Sequence, residues 1–393
     1  MPRAVRRAAW GLAVTAATVG LAACGGDPTG EQAYDTKVAV YVGVPLGGPW
    51  GDAGQAITRG TVLGLADSKG GAGDFSVRLS LRDVTDDDLQ TVGIQGASRE
   101  AGNALRDVGA IGVIGGLDPT ASRQLQLLGN QTGLGYVSAS GDQIAASAAD
   151  LSPRAQRMAV QLGAPDGAIA TAIVARTRAA DCRRTTLVSV PDAGVGSALV
   201  ASELDPTTTL RGASFRSATL RTDLARALRA DSDCVVVAGQ PSGGDPYELL
   251  EPLQDELEDV TLVLSRGAAS PRTAALVRDA GLTAEAVVDE APASANDETR
   301  AIDAKHREIY GTPAPVGVMA GWRSIKLMLR AVADAGPGGN RRDAVSKALV
   351  EAPVPGPPTA ATQNDDGTIT PVAVSLARAE PYGWRAVRAL DAP

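Results

Sequence analysis

The chain has 393 residues, which suits two domains of ordinary size better than one. Its net charge of -8 without a basic block argues against a nucleic-acid partner, and its single histidine excludes a histidine-rich metal site. Apolar residues make up 44% but aromatic residues only 3%, so aliphatic side chains must build the cores.

The first segment is typical of an export and anchoring signal. An arginine-containing start precedes an uncharged stretch over residues 8–23, as in secretory signal peptides. Leu21-Ala22-Ala23-Cys24 resembles a bacterial lipobox, which implies cleavage before Cys24 and attachment of a lipid to its thiol. The alternative, a transmembrane anchor, calls for a longer and more apolar stretch. We therefore expect a lipoprotein signal peptide over residues 1–23, a tether over residues 24–36 and a lipid-anchored, extracytoplasmic protein.

The other two cysteines are candidates for a disulfide. Cys182 and Cys234 each directly precede a short apolar segment of strand character, Thr185–Val190 and Val235–Ala238. If these are adjacent parallel strands outside the cytoplasm, the two thiols can meet and remain oxidised. Such a bridge closes a loop of about fifty residues and contributes about 4 kcal/mol in the chain-entropy model. Two buried free thiols are the alternative.

Strand and helix patterns alternate along the chain after the tether. In the first half, buried or alternating apolar segments are typical of strands at Val38–Val44, Val77–Leu81, Ile111–Ile114 and the segment ending at Val137. The alternation restarts after Pro165, with strands near Leu187, Phe215, Val235–Ala238 and Thr261–Leu264. The last part is helical over Glu298–Tyr310, Gly317–Ala335 and Asp343–Val350, before terminal strands that carry a turn at Asn364–Gly367. The pattern predicts an α/β protein with two doubly wound parallel sheets.

Ligands of such sheets bind at the carboxyl ends of the strands, where loops lead into the helices. These loops are residues 46–53, 115–122 and 138–143 in the first half, and residues 191–196, 239–245 and 265–268 in the second. Facing each other, they would form a cleft between two domains. No nucleophile elbow, dinucleotide fingerprint or carboxylate pair is placed by a motif, so we expect a binding protein without a cofactor rather than an enzyme.

At this point the order of motifs resembles a known family. Val38–Pro49, then Leu81-Arg82-Asp83, Val113–Gly116, Val137–Ser140 and the late acidic turn Asn364–Gly367 look like the type I periplasmic binding proteins, the leucine/isoleucine/valine-binding receptors of ABC importers. The resemblance covers nearly the whole chain after residue 36. It implies two α/β lobes that are joined by three crossings and close around a ligand.

The resemblance also implies boundaries for the lobes. The crossings would fall near Ser152–Gln156, Glu290–Ser294 and Pro353–Ala361. The N-terminal lobe would then comprise residues 37–153 and 292–355. The C-terminal lobe would comprise residues 154–291 and 356–393.

Ligand contacts carry over in part. In the amino-acid receptors of this family, hydroxyl and backbone groups of two first-lobe loops hold the ligand. The matching positions, together with those expected across the cleft and at its mouth, are Trp50, Thr120, Ser122, Ser138, Ser140, Asp142, Val195, Gln240, Arg266 and Trp322. The sequence departs from the family where Asp118-Pro119 replaces a serine run and where Arg266 replaces the acid that receives an amino group.

These departures favour a different ligand chemistry. Arg266 offers a fork for a carboxylate or phosphate, and Asp142 offers an acceptor for a cationic or hydroxyl end. In this interpretation, Arg266→Ala weakens ligand binding and leaves the thermal midpoint nearly unchanged. The alternatives are that Arg266 points to solvent, that Asp142 caps the next helix, and that Trp50 is a packing residue. His306, beside Lys305 and Arg307, is expected to be exposed.

The sequence therefore predicts a solute-binding lipoprotein that captures a small polar ligand (an amino acid, amide or carboxylate) for an ABC permease in the membrane. Two alternatives stay open. The same fold serves sensory lipoproteins that report a ligand without importing it, and a receptor whose cleft has become a protein-interaction surface would share these motifs.

Overall fold

The structure is a computed structural model. It describes residues 36–85, 94–141, 158–190, 194–201, 204, 206–356 and 360–390. The predictions for Cys24, for residues 1–35 and for Asp142 lie outside these residues.

The first sheet is built around a buried strand that begins at Lys37. Among the described residues its strands are β1 (Lys37–Val44), β2 (Gly71–Ala72), β3 (Phe75–Asp83), β4 (Ala110–Gly115), β5 (Gly135–Ser138) and β6 (Ala159–Gln161), in the order β2-β3-β1-β4-β5-β6. Apart from the β2–β3 pair, the pairings are parallel. Seven consecutive buried residues in β1 are what a strand covered on both faces requires.

The second sheet has the same design with an antiparallel edge. The remaining described strands are β7 (Thr185–Ser189), β8 (Thr208–Arg211), β9 (Cys234–Ala238), β10 (Thr261–Ser265), β11 (Ala284–Val288), β12 (Thr362–Gln363), β13 (Ile369–Thr370), β14 (Val374–Glu380) and β15 (Gly383–Leu390). The sheet order is β15-β14-β11-β10-β9-β7-β8, while β12 and β13 pair as a separate hairpin. Strands β7 to β11 pair in parallel, and β14 and β15 extend the sheet antiparallel.

Helices cover both sheets. In the described part of the chain they are α1 (Gly51–Asp67), α2 (Ile94–Arg106), α3 (Pro119–Thr132), α4 (Asp166–Ala179), α5 (Gly194–Ala201), α6 (Ala218–Arg229), α7 (Tyr247–Leu250), α8 (Pro271–Asp279), α9 (Asp297–Tyr310), α10 (Val318–Asp334) and α11 (Arg342–Glu351). Helices α1 to α3 and α9 to α11 share cores with each other and the first sheet, and α4 to α8 share cores with the second sheet. The structure therefore has two doubly wound α/β lobes, as predicted. Among the described residues, no helix combines the length and apolar character needed to cross a membrane.

Helices α1 and α10 come close enough to exclude side chains between them. A Cβ atom added at Gly60 would collide with the backbone oxygen of Val318, and one added at Gly321 would collide with that of Ile57. Glycine at both positions permits this approach. The late helix α10 is thereby fixed to the first lobe although it follows the parallel strands β7 to β11 of the second sheet in sequence.

Sheet and core membership place two crossings later than predicted. Strand β6 pairs with β5, with Tyr136 opposite Ala159, so the first lobe extends to at least Gln161 rather than ending at residue 153. Near the C-terminus, the buried side chain of Ile369 belongs to the first lobe's core, so the chain enters the second lobe after Thr370 rather than within Pro353–Ala361. The second crossing, between β11 and α9, spans the predicted Glu290–Ser294.

The disulfide is present. Cys182 and Cys234 are bonded, with their Cα atoms 5.7 Å apart. Strands β7 and β9 are adjacent and parallel, and Thr185 lies opposite Cys234. The prediction from strand position is therefore confirmed.

Candidate functional site

The carboxyl ends of strands from both sheets surround one cavity. Loops after β1, β4 and β5 contribute from the first lobe, and loops after β7, β9 and β10 contribute from the second. The segments that follow β6 and β11 complete the wall with Asp166 and Asp289. The cavity has a volume of about 80 Å³, which is room for several waters or one small organic molecule.

The structure places half of the predicted ligand-binding residues on this cavity. They are Trp50, Ser140, Val195, Gln240 and Arg266. All five follow the carboxyl ends of strands, which is where ligands of parallel sheets are expected to bind. Contact of these side chains with a ligand stays a prediction.

The other predicted residues do not line the cavity or are not described. Ser138 and Ser122 are buried, and the Ser138 hydroxyl donates to the backbone oxygen of Ser140 at 2.9 Å. The Ser138 hydroxyl therefore stabilises the loop that carries Ser140. The side chain of Thr120 and the whole of Asp142 lie outside what the structure describes.

Trp322 lies apart from the cavity, contrary to expectation. It is buried in a cluster of α1, α9 and α10 side chains, and its indole N–H donates to Asp67 at 2.8 Å. The tryptophan thus serves the packing of the first lobe. Its position on the long late helix matched the family, but the indole is directed into that cluster.

The expectation that His306 is exposed is also wrong. Its side chain is fully buried, Nδ1 lies 2.8 Å from the Thr312 backbone oxygen, and burial lowers the pKa of the ring. Ile302 lies one turn earlier on the same buried face of α9. The charged sequence neighbours point elsewhere, so they misled the prediction.

Arg266 lines the cavity, but its donors are engaged by the protein. One terminal nitrogen donates to the Ala164 oxygen at 2.5 Å and to Asp289 at 3.4 Å. The other donates to Asp166 at 2.7 Å and to the oxygen of Gly141. Arg266 is therefore neither a free fork for an anion nor a solvated side chain, and both sequence-based interpretations need correction.

The Arg266 contacts link the two lobes. Arg266 follows β10 in the second lobe, whereas Gly141 follows β5 in the first. Asp289 reinforces the link, because its Oδ2 also accepts from the Gly141 N–H at 2.6 Å. The Arg266 guanidinium and the carboxylates of Asp166 and Asp289 therefore meet beside the cavity.

Asp118 forms a second link between the lobes. Its Oδ1 accepts from the Ala121 N–H at 3.0 Å, which caps the start of α3. Its Oδ2 accepts from the Ser242 N–H, across the cleft, at 2.9 Å. The replacement of the family's serine run by Asp118-Pro119 thus has a structural consequence that the sequence did not reveal.

One side-chain group on the first-lobe wall, the Ser140 hydroxyl, can donate to a ligand. Trp50 is buried, and its indole N–H has no hydrogen-bond partner among the described residues. The Ser140 hydroxyl oxygen accepts from the Leu117 N–H at 2.9 Å, which leaves its proton for an acceptor. A buried donor without a partner is costly, so packing in the first-lobe core must hold the Trp50 ring in place.

Asp289 was missed by sequence reasoning because no strand was assigned before it. A strand at Ala284–Val288 would have placed Asp289 at a mouth loop. For metals the wall offers little: in the described ranges, no group of three or more His, Cys, Asp or Glu residues is arranged to hold an ion.

Comparison with known proteins shows the fold. No protein-family model matches the chain, and no curated protein matches its sequence. Solved structures do match. A leucine-binding protein from Thermotoga maritima is 14% identical with a TM-score of 0.73, over 90% of this chain and 99% of its own.

Two further matches were solved with a bound molecule. A solute-binding protein of an ABC transporter from R. palustris, in complex with benzoate, is 16% identical with a TM-score of 0.71, over 90% of this chain and 96% of its own. A branched-chain amino acid transporter substrate-binding protein from Streptococcus pneumoniae, in complex with isoleucine, is 13% identical with a TM-score of 0.71, over 90% and 99%. The chain therefore has the type I periplasmic binding protein fold, and the predicted resemblance is confirmed at that level.

Proposed function

We propose that the protein is an extracytoplasmic solute-binding protein that captures a small polar ligand between its lobes. The observation that carries the proposal is the cavity, which is walled by strand-end loops of both sheets and contains polar groups from both lobes. A concave site with a few convergent polar groups among apolar ones is typical of small-molecule binding. Val195 and Leu117 supply apolar wall, and Ser140 and Gln240 supply polar groups.

The matched structures support this use of the fold. The R. palustris structure holds benzoate and the S. pneumoniae structure holds isoleucine, and both proteins are described as parts of transporters. Fold alone does not determine function, so the proposal rests on this chain's own cavity.

Binding would act by shifting the population of closed molecules. The Asp118–Ser242 hydrogen bond and the Arg266–Gly141 contact already join the lobes at the cavity. A ligand that touches both walls, for example Trp50 and Gln240, adds contacts that exist only when the lobes are together. Such differential contact is what allows a ligand to favour one conformation.

A screen of metabolites by thermal shift tests the proposal. At least one amino acid, amide, amine or carboxylate should raise the thermal midpoint, because a ligand that binds the folded state stabilises it. Titration calorimetry of the hit should give one site per chain. If no compound in a broad library stabilises the protein, the proposal is contradicted.

We further propose that Cys24 carries a lipid and that the closed protein delivers its ligand to an ABC permease. The lipobox-like Leu21–Cys24 supports the first point. Cys24→Ser should abolish incorporation of labelled palmitate and release the protein from the membrane fraction. Uptake of the bound compound should fall when the gene is deleted; normal uptake with a lost transcriptional response would favour the sensory alternative.

A further inference from the structure

The Arg266 guanidinium lies where two crossings of the chain between the lobes meet. The first crossing links β6 to α4 and contains Ala164 shortly before Asp166, the first residue of α4. The second links β11 to α9 and begins with Asp289. One terminal nitrogen of Arg266 donates to the Ala164 oxygen and to Asp289, and the other donates to Asp166. One side chain therefore ties the two hinge segments to each other.

The same guanidinium reaches the first lobe. The nitrogen that donates to Asp166 also donates to the backbone oxygen of Gly141, which follows β5. Asp289 adds to this contact, because its Oδ2 accepts from the Gly141 N–H at 2.6 Å. Since Arg266 follows β10 in the second lobe, separation of the lobes at Gly141 must break these contacts.

Glycines let the chain pack closely around the guanidinium. A Cβ atom added at Gly141 would collide with the Ala164 oxygen and with the Arg266 guanidinium. One added at Gly163 would collide with the Gly141 nitrogen and with the Asp289 carboxylate. Glycine at both positions thus allows the hinge segments and the first-lobe loop to approach this one side chain.

The acceptors around Arg266 suit a guanidinium in particular. They are two backbone carbonyls and two carboxylates, and the terminal N–H groups are directed at all four. The side chains of Arg266, Asp166 and Asp289 are 13%, 12% and 10% exposed, so solvent screens their contacts little. An ammonium group has three N–H donors and no fixed plane, so a lysine could not satisfy the same four acceptors.

We infer that Arg266 is a tethered ligand: Gly141, Ala164, Asp166 and Asp289 form a guanidinium site, and its occupation by the protein's own side chain holds the lobes together. Contacts that exist only when the lobes are together favour the closed conformation, whether they come from a solute or from the chain. Opening then requires release of the guanidinium from Gly141. This inference goes beyond the proposed function, because it concerns closure by the chain alone.

Chemical complementation of Arg266→Ala tests the inference. Alanine keeps the Cβ atom, and ethylguanidinium supplies the atoms that the substitution removes. In small-angle X-ray scattering, Arg266→Ala should have a larger radius of gyration than the unaltered protein, and ethylguanidinium should restore the smaller value. Ethylurea has the same shape without the charge and should not restore it, with sodium chloride added to match the ionic strength.

Titration calorimetry measures occupation of the site directly. Arg266→Ala should bind one ethylguanidinium per chain, at least tenfold more tightly than the unaltered protein, in which Arg266 competes for the same acceptors. Arg229→Ala, at an exposed position on α6, is the matched control and should behave as the unaltered protein in both measurements. Arg266→Lys keeps the charge but reaches fewer acceptors, so its radius of gyration should also exceed that of the unaltered protein.

The outcomes decide the inference without any solute. It is overturned if folded Arg266→Ala scatters as the unaltered protein does, or if ethylguanidinium neither binds this variant nor restores its radius of gyration. If Arg266→Ala is unfolded alone, recovery of the fold with ethylguanidinium but not with ethylurea supports the inference. Without such recovery, Arg266→Lys decides: a radius of gyration equal to that of the unaltered protein overturns the inference, and a larger one supports it. Each result leaves the proposed solute binding to its own test.

Discussion

The carboxylate of Asp118 in the first lobe accepts a hydrogen bond of 2.9 Å from the backbone N–H of Ser242 in the second lobe. The same carboxylate caps α3, so one side chain stabilises a helix start and joins the lobes. Because this contact needs no ligand, the protein itself contributes to closure. The apparent affinity for a ligand then depends on how much of the free protein is already closed.

Replacement of Asp118 should open the ligand-free protein. Asp118→Ser keeps a capping oxygen but is too short to reach Ser242 as well, so we expect a larger radius of gyration in small-angle X-ray scattering. Asp118→Ala loses the cap too and should cost about 1 kcal/mol more in unfolding free energy. Scattering from Asp118→Ser that superimposes on the unaltered protein would show that the contact does not hold the lobes together.

Removal of Arg266 should destabilise the fold. Arg266→Ala removes the largely buried guanidinium that pairs with Asp166 and Asp289 and joins the Ala164 and Gly141 carbonyls, and we expect a loss of about 3 kcal/mol, seen as a lower urea midpoint. Arg229→Ala, at an exposed position on α6, is the control and should change little. An unaltered midpoint for Arg266→Ala would restore the sequence-based interpretation.

Part of the structure can be predicted from the sequence alone. Strands β1 and β9 could be predicted, because a parallel strand covered on both faces needs a continuous apolar segment. Position at strand ends then places Trp50 and Gln240 on a cleft. The disulfide followed from the same geometry.

Pairing of charged side chains with residues far away in the sequence could not be predicted. Strand β11 contains Glu285, which looks unsuited to a covered strand, but Arg176 of α4 pairs with it. Because this strand was not predicted, Asp289 was not predicted to lie at the cavity. Three of the four partners of Arg266, namely Gly141, Ala164 and Asp166, lie 100 to 125 residues away in sequence, so no local pattern indicates that its donors are engaged.

Stability should fall as the pH rises through neutrality, because of Glu290. Burial raises the pKa of Glu290 from an ordinary 4.5 to about 8. The hydrogen bonds from the Gly317 and Met319 N–H groups lower this pKa, but burial has the larger effect. Between these values the folded protein retains a proton that the unfolded chain has lost, so each rise of one pH unit costs on the order of 1.4 kcal/mol. Asp289 and Arg323 are the charged neighbours in the small cavity that Glu290 lines.

Urea unfolding at pH 5, 6.5 and 8 measures this slope. Glu290→Gln cannot ionise and should flatten it over the same interval. If the variant and the unaltered protein lose stability in parallel as the pH rises, Glu290 is not the group responsible.

Reduction of the disulfide should lower the unfolding free energy by about 4 kcal/mol in the chain-entropy model, given a sequence separation of 52 between Cys182 and Cys234. Urea midpoints with and without dithiothreitol measure the effect. A variant with both cysteines changed to serine should match the reduced protein and ignore the reductant. If the double serine variant is as stable as the oxidised protein, the disulfide does not stabilise the fold.

The central claim is that a small solute binds in the cavity between the lobes. Val316 lines that cavity, whereas Val108 is 93% exposed elsewhere on the first lobe. Titration calorimetry with the best compound from the library should give one site per chain for the unaltered protein and for Val108→Trp. Val316→Trp should fill the cavity and abolish the heat of binding while the protein stays folded. Undiminished binding by folded Val316→Trp would contradict the account.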